Sequence, residues 1–450
     1  MEPATPSPSA VSFREALAFW FKLGFISFGG PAGQIAIMHS ELVERRRWIS
    51  EKRFLHALNY CMVLPGPEAQ QLATYIGWLM HRTWGGVVAG ALFVLPSLLI
   101  LMALSWIYAA YGNVPLVLGL FYGIKPAVTA IVVQAAHRIG SRALKNSWLW
   151  AISAAAFVAI FALKLPFPAI VLAAGVTGYV GGRFAPERFR AGGGHGQGRT
   201  TAAAALIDDD TPTPPHARFS VARLAIVLGV GALLWAAPMA LLMATSGWTG
   251  TFTQMGWFFT KAALLTFGGA YAVLPYVYQG AVEDYGWLQP SQMIDGLALG
   301  ETTPGPLIMV VAFVGFVGAW QSPELAAWFG PGSFTAGAIA ATLVTWFTFL
   351  PSFVFILAGG PLVESTHDDL KFTGPLTAIT AAVVGVILNL ALFFGYHVLW
   401  PAGFGQGFEW PAALIALAAL VALLRFKRGV IEVIAGSALF GLAWTWAIRT

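Results

Sequence analysis

The chain has 450 residues, 58% of them hydrophobic and only 10% charged, with a mean hydropathy of +0.72; soluble domains carry about a quarter charged residues, so this is the composition of a polytopic membrane protein. A single cysteine, Cys61, excludes a disulfide framework, a cysteine zinc site and a CxxC redox pair. The net charge of +5 and pI near 9.3 would point to nucleic acid in a soluble protein, but in a membrane protein excess Lys and Arg marks cytoplasmic loops, so no nucleic-acid partner is expected.

Residues 1–12 read as a flexible amino terminus, with no basic region ahead of an apolar one and hence no cleavable signal peptide. Apolar stretches then recur at about 16–28, 32–44, 54–80, 84–111, 116–136, 148–165 and 168–182, and form a first repeat over 13–182. Residues 183–222 hold five glycines from Gly192 to Gly198, Asp208 to Asp210, and Pro212, Pro214 and Pro215. That composition buries no core and predicts a flexible cytoplasmic linker. One connecting transmembrane helix is expected at 223–246. Further apolar stretches at 252–280, 293–320, 333–359, 373–395, 410–424 and 430–448 make a second repeat over 250–450.

Sliding the chain by 239 residues superposes Lys22 on Lys261, Phe28-Gly29-Gly30 on Phe267-Gly268-Gly269, Glu44 on Glu283, Trp48 on Trp287, and Pro65-Gly66-Pro67 on Pro304-Gly305-Pro306. Thirteen of the sixty positions from Phe19 to Trp78 are identical in that register. Apolar matches arise by chance in such a composition, whereas these punctuating residues at one offset do not, so the halves are homologous. Leu95-Pro96-Ser97 matches Leu350-Pro351-Ser352 at offset 255, which requires an insertion that the loop at Gln321–Gly332 can hold.

The first two segments of each half are too long for single spans, since about 20 helical residues cross a bilayer core. Each is broken near its middle, by the glycine pair or by Pro-Gly-Pro, where proline removes an amide donor and glycine permits a reversal. Read as re-entrant hairpins, they keep Arg45, Arg46, Arg47, Lys52 and Arg53 on the cytoplasmic side, in line with the positive-inside rule. The extra span then inverts the second half. The expected fold is an all-α polytopic membrane protein of two inverted homologous halves, each with two broken (re-entrant or discontinuous) helical hairpins followed by about four transmembrane helices. A reading with thirteen full spans ranks second, because it puts five basic residues on the wrong side.

Inverted repeats with discontinuous helices are a transporter arrangement with the substrate near the midplane. Each break starts a helix whose first amides lack internal partners and whose dipole end is positive, so the tips are candidate anion sites. The substrate-binding candidates are Lys22, Ser27, Gly29, Gly30, Pro65, Gly66, Pro67, Glu68 and Gln70 in the first half. In the second they are Lys261, Thr266, Gly268, Gly269, Glu301, Pro304, Gly305 and Pro306. Lys22 and Lys261 would compensate a dianion, although Lys22 lies near enough to Arg14 to snorkel instead. Ser27 and Thr266 suit either ligation or a backbone bond. Glu68 and Glu301 are the carboxylates nearest the breaks, but Glu301 falls on Met62 in the repeat. The eight histidines show no HxxxH or HExxH spacing, so no metal site is expected, and no cofactor motif or GxxxxGK[ST] is present.

The segments FKLGFISFGGPAGQIAIMHSELVERRRWIS, LPGPEAQQLATYIG, TFGGAYAVLPYVY, GWL and TTPGPLIMVVAFVG resemble the paired signatures of the chromate ion transporter family, with Ala270 where a third glycine would stand. The resemblance covers both halves. It implies export of chromate or a sulfate-like oxyanion across the cell inner membrane by a secondary transporter, conferring chromate resistance; the basic residues already put the amino terminus and linker in the cytoplasm. Lipid and the oxyanion are then its partners, and a homodimer is compatible with it. The alternatives are a sulfate or other oxyanion transporter, an anion channel on the same tips and, lower still, a membrane-bound reductase.

Overall fold

The computed structural model describes residues 11–28, 30–189, 205–208, 211–267, 269–365, 373–405 and 407–449. Over those residues the secondary structure is helical apart from an isolated bridge between Ile49 and Ile207. The first half runs α1 (Phe13–Ile26), α2 (Gly30–His39), α3 (Glu51–Val63), α4 (Glu68–Tyr111), α5 (Pro115–Ala143), α6 (Ser147–Phe161) and α7 (Phe167–Phe184). After α8 (Val221–Ser246), the second half runs α9 (Thr251–Leu264), α10 (Ala270–Tyr278), α11 (Pro290–Thr302), α12 (Val310–Trp320), α13 (Pro323–Phe329), α14 (Phe334–Ser365), α15 (Thr373–Leu399), α16 (Trp410–Leu424) and α17 (Val430–Arg449). By length and composition α4, α5, α7, α8, α14, α15 and α17 can cross a membrane, and the outward residues of α8, such as Leu233 and Leu241, are apolar and exposed.

Local chemistry sets the boundaries. The Ser12 hydroxyl accepts from Glu15 N–H (3.2 Å) to open α1, Ser50 does the same for Arg53 N–H (3.2 Å) at α3, and the Asn146 side chain accepts from Leu149 N–H (3.1 Å) at α6. Each such cap contributes about 1 kcal/mol. α3 stops where Leu64 turns extended (ψ 148°) ahead of Pro65, as the crowding of a residue before proline requires. The repeat register reappears in the backbone. π-Helical turns occupy Ser40–Arg45 and Gln279–Asp284, closed by bonds from Arg46 N–H to the Glu41 carbonyl and from Tyr285 N–H to the Gly280 carbonyl, both 2.9 Å. In the first of these turns the Arg45 guanidinium, hydrogen-bonded to Glu41, holds that carboxyl below its usual range.

α4 is two arms. His81 (φ −133°) and Arg82 (φ 57°, ψ −159°) leave the helical region, and residues 68–80 fold back on 83–111. The arms meet backbone to backbone, Gly77 on Gly85 and Gly86 on Thr74, so any Cβ at these glycines would clash. In the second half α12 folds back on α14, with Gly315 against Ala340 and Gly337 against Phe316. Here α13 supplies the insertion that the change of offset demands, bent 74° from the segment before it.

The long arm of α4 and α14 lie side by side in opposite directions. The Trp106 ring meets Phe334 at 6.2 Å and Gly90 packs on Phe353, while Gly360 packs on Trp78 of the short arm. The halves also exchange their last helices, since α6 and α7 pack on α15 while α16 and α17 pack on α5. Part of the stretch read as a linker is bonded to the first half: Leu206 N–H donates to the Arg47 carbonyl (3.0 Å), Ile207 N–H to Trp48 (3.1 Å), and Ser50 N–H to Ile207 (2.9 Å). Residues 1–10 and 190–204 lie outside the described residues.

Candidate functional site

The four breaks meet. Gly66 N–H donates to the Thr266 carbonyl (2.7 Å), and Gly305 N–H donates to the Ser27 carbonyl (2.8 Å). Shifting either bond by 239 residues turns it into the other, the reciprocity of an isologous two-fold contact. The glycine breaks face each other too, with Pro31 of the first beside Gly269 of the second. Gly29 and Gly268 lie outside the described residues.

The two kinds of glycine do different work. Gly66 (φ +130°) and Gly305 (φ +106°) let the halves touch: a Cβ on Gly66 would run into Ser352 Oγ and Gln71 Nε2, and one on Gly305 into Ser97 Cβ. Ser97 and Ser352 are repeat mates, so each Leu-Pro-Ser turn receives the Pro-Gly-Pro of the opposite half. Gly30 (φ +68°) has nothing within 4 Å of a Cβ and Gly269 (φ +98°) has only Pro31 at 3.9 Å, so these two border open space.

Buried amides line the junction. Gln34 Nε2 donates to the Gly305 carbonyl (2.5 Å), and Gln71 Nε2 donates to the Pro65 carbonyl (2.8 Å). Gln70 Nε2 donates to Thr74 Oγ1 (3.0 Å). Ser97 Oγ and the Oε1 atoms of Gln70 and Gln71 are buried without a hydrogen-bond partner among the described residues, a situation rare enough in native proteins to mark a polar site. The hydroxyls of Ser27 and Thr266 donate to the Leu23 and Ala262 carbonyls of their own helices, both at 2.7 Å. In the second half the Tyr271 hydroxyl donates to Glu301, joining the start of α10 to the end of α11. Glu68 is half-buried in the first turn of α4, where a carboxylate suits the dipole. Pro65, Pro67, Pro304 and Pro306 flank the contact glycines and fix the entry of the following arms.

The lysines sit outside this junction's hydrogen bonds. Lys22 is exposed on α1; Lys261 is half-buried with its ammonium 5.8 Å from the Trp257 ring centre, and neither takes part in an ion pair among the described residues. Lys125 is paired with buried Asp295 (3.3 Å), which also accepts from the Tyr108 hydroxyl (2.9 Å). At the opposite end Arg53 pairs with Glu364 (2.6 Å), which accepts from the Tyr75 hydroxyl, while the guanidinium also reaches the Thr211 carbonyl (2.8 Å). Both clamps tie one half to the other. Glu364 lies twelve residues from Ser352 on α14, and Tyr108 eleven from Ser97 on α4, roughly 18 Å at 1.5 Å per residue. The tips are therefore midway between the clamps. Sequence reasoning passed over Asp295 and Glu364, although a lone acid within an apolar stretch is a signal of its own. It used Ser97 and Ser352 only as landmarks.

The family described as "Chromate transporter" matches residues 14–179 and 253–442, both halves without the stretch between them. A "Chromate transport protein" of Pseudomonas aeruginosa is 34% identical over 84% of this chain and 80% of its own length. One of Cupriavidus metallidurans is 29% identical over 96% and 93%. "Uncharacterized transporter YwrB" of Bacillus subtilis is 28% identical over 134 residues, which are 68% of that protein and 30% of this chain. No solved structure matches the chain.

Proposed function

Since the chain belongs to the chromate transporter family, we propose that it is a secondary transporter that exports chromate, a tetrahedral dianion, across the cytoplasmic membrane. The observation that carries this reading is the reciprocal pair of bonds at the tips, which puts four helix starts and three orphaned buried polar atoms at one place midway along the long helices. Helix starts offer amide donors and a positive dipole end to an oxyanion. Lys22 and Lys261 supply the compensating charge, because an unpaired anion buried in low dielectric is very costly. The opposed directions of α4's long arm and α14, which are repeat mates, support inverted halves and a site alternately open to each side, and the cluster Arg45, Arg46, Arg47, Lys52 and Arg53 supports an amino terminus in the cytoplasm. An inside-negative potential contributes about 2.3 kcal/mol per charge per 100 mV, so a leaving dianion gains about twice that without any further driving step. The relatives' names describe transporters, which supports transport over a chemical reaction on the substrate.

Chromate uptake into everted membrane vesicles tests it. We expect saturable uptake that excess sulfate inhibits, and a loss of at least tenfold in Lys22→Met and in Lys261→Met at normal expression. Currents that do not saturate at high chromate would make the protein a channel. Chromate loss from solution with purified protein and no vesicles would make it a reductase.

A further inference from the structure

The two glycine hairpins are equivalent in sequence and unequal in packing. α10 lies against α15 and α7, and all nine of its residues are buried. α2 packs on α4 with only Gln34 and Met38 buried among ten residues, the others half-buried apart from exposed Ala32 and Ala36. The contact that seals α10 is Tyr278 against Phe393 of α15, ring centres 4.4 Å apart, backed by Gln279 Oε1 accepting from Phe167 N–H (3.3 Å).

The repeat says what stands at the same place in the first half. Offset 239 carries Tyr278 to His39, and offset 255 carries Phe393 to Arg138. The second offset holds on α5 and α15 themselves, since Gly119 and Gly123 of α5 receive α17 as Gly374 and Ala378 of α15 receive α7. A sealed aromatic pair in one half thus corresponds to an unsealed His and Arg in the other. His39 is turned away, bonded to Glu51 Oε2 (2.5 Å) and near Glu44 (3.4 Å). Arg138 is half-buried, and its guanidinium takes part in none of the hydrogen bonds or ion pairs among the described residues. The helix that carries it packs on α11, which ends at the second half's tips with Glu301 bonded to Tyr271. A guanidinium without a protein partner, on the helix whose repeat mate receives α10, is placed to receive an oxyanion, for which its planar fork is well shaped.

We propose that Arg138 is the cation that takes the oxyanion between α2 and α5, on the side whose glycine hairpin is the less covered of the two. In the alternate state α2 docks on α5 as α10 docks on α15 here. The proposal rests on the transporter reading. The asymmetry lies in the hairpins, α10 buried throughout and α2 at only two positions, since Phe393 and Arg138 are themselves both half-buried.

Two measurements on the purified, reconstituted protein test this, with Cys61→Ala as background for the second. In the vesicle assay Arg138→Gln should raise the chromate KM at least tenfold with the melting temperature unchanged, and Arg138→Lys should restore part of the loss. A residue that only packs would lower the melting temperature and leave KM alone. Arg138→Cys should react with a water-soluble maleimide and be protected by chromate, and Phe393→Cys, held against α10, should show no such protection. An unchanged KM in a folded Arg138→Gln protein overturns the role of Arg138 while leaving saturable transport, and thus the function itself, standing. Reactivity at 138 that chromate leaves unchanged overturns the place of Arg138 in the oxyanion site. Absence of uptake by the wild type would strike the transporter reading instead.

Discussion

A glycine with positive φ can be kept for its backbone or for the room it leaves, and the tips separate the two. At Gly66 a side chain would be both strained and blocked by Ser352 and Gln71, so Gly66→Val should fail as a packing change, costing well beyond the 1–3 kcal/mol typical of an overfilled core. At Gly30 the added atoms find free space. The left-handed conformation then costs about 1–2 kcal/mol, and the protein should still fold. If that free space is where the oxyanion sits, chromate at 100 times Kd should stabilise the wild type by about 2.7 kcal/mol and leave Gly30→Val unmoved, as read from melting in detergent with and without chromate. A folded Gly30→Val protein stabilised as much as the wild type would place the anion elsewhere. The glycines at the breaks were legible in the sequence because they recur at one offset. Their division of labour was not, because it depends on Ser97 and Ser352, each reached across the chain from the opposite half.

Elements with the same sequence register need not carry the same chemistry. The clamps occupy equivalent places, Arg53 of α3 reaching α14 and Asp295 of α11 reaching Tyr108 of α4 and Lys125 of α5, yet Arg53 has Gln292 as its mate and Asp295 has His56, so neither ion pair follows from the repeat. Their partners come from helices far away in sequence, which is why pattern reading found the hairpins and missed what latches them. The Arg53–Glu364 pair is nearly dry, with side chains 11% and 1% exposed. Removing one partner of a buried pair strands the other and costs about 3–5 kcal/mol, whereas removing both can be close to neutral. Glu364→Gln and Arg53→Met should therefore each lower the melting temperature strongly, and the Arg53→Met/Glu364→Leu double variant should recover most of the loss. Additive losses in the double variant would mean that the two groups act independently, Arg53 chiefly through the carbonyls of Asp208 and Thr211.

At the scale of the whole molecule the halves are not two domains side by side. The Gly66 and Gly305 amides are satisfied only across the junction, both clamps cross it, and each half's closing helices cover the other's central helix, α6 and α7 on α15, α16 and α17 on α5. A half standing alone would expose one buried amide donor and one buried carbonyl at the tips, each worth about 1–3 kcal/mol when unsatisfied, and would lose the packing that fixes α5 or α15. The chain between the halves contributes far less, since closing even a long loop costs only slowly more with length. A protease site placed between Phe189 and Ala205 should thus be cut without separating the product. After cleavage the two fragments should co-purify on a tag carried by either one and retain the chromate-dependent rise in melting temperature, whereas each fragment expressed by itself should give no cooperative melting transition. A fragment ending at Phe189 that melts cooperatively when expressed alone would mean that the reciprocal bonds only join two finished domains, and the tips would then be an interface between them and not the element that builds the fold.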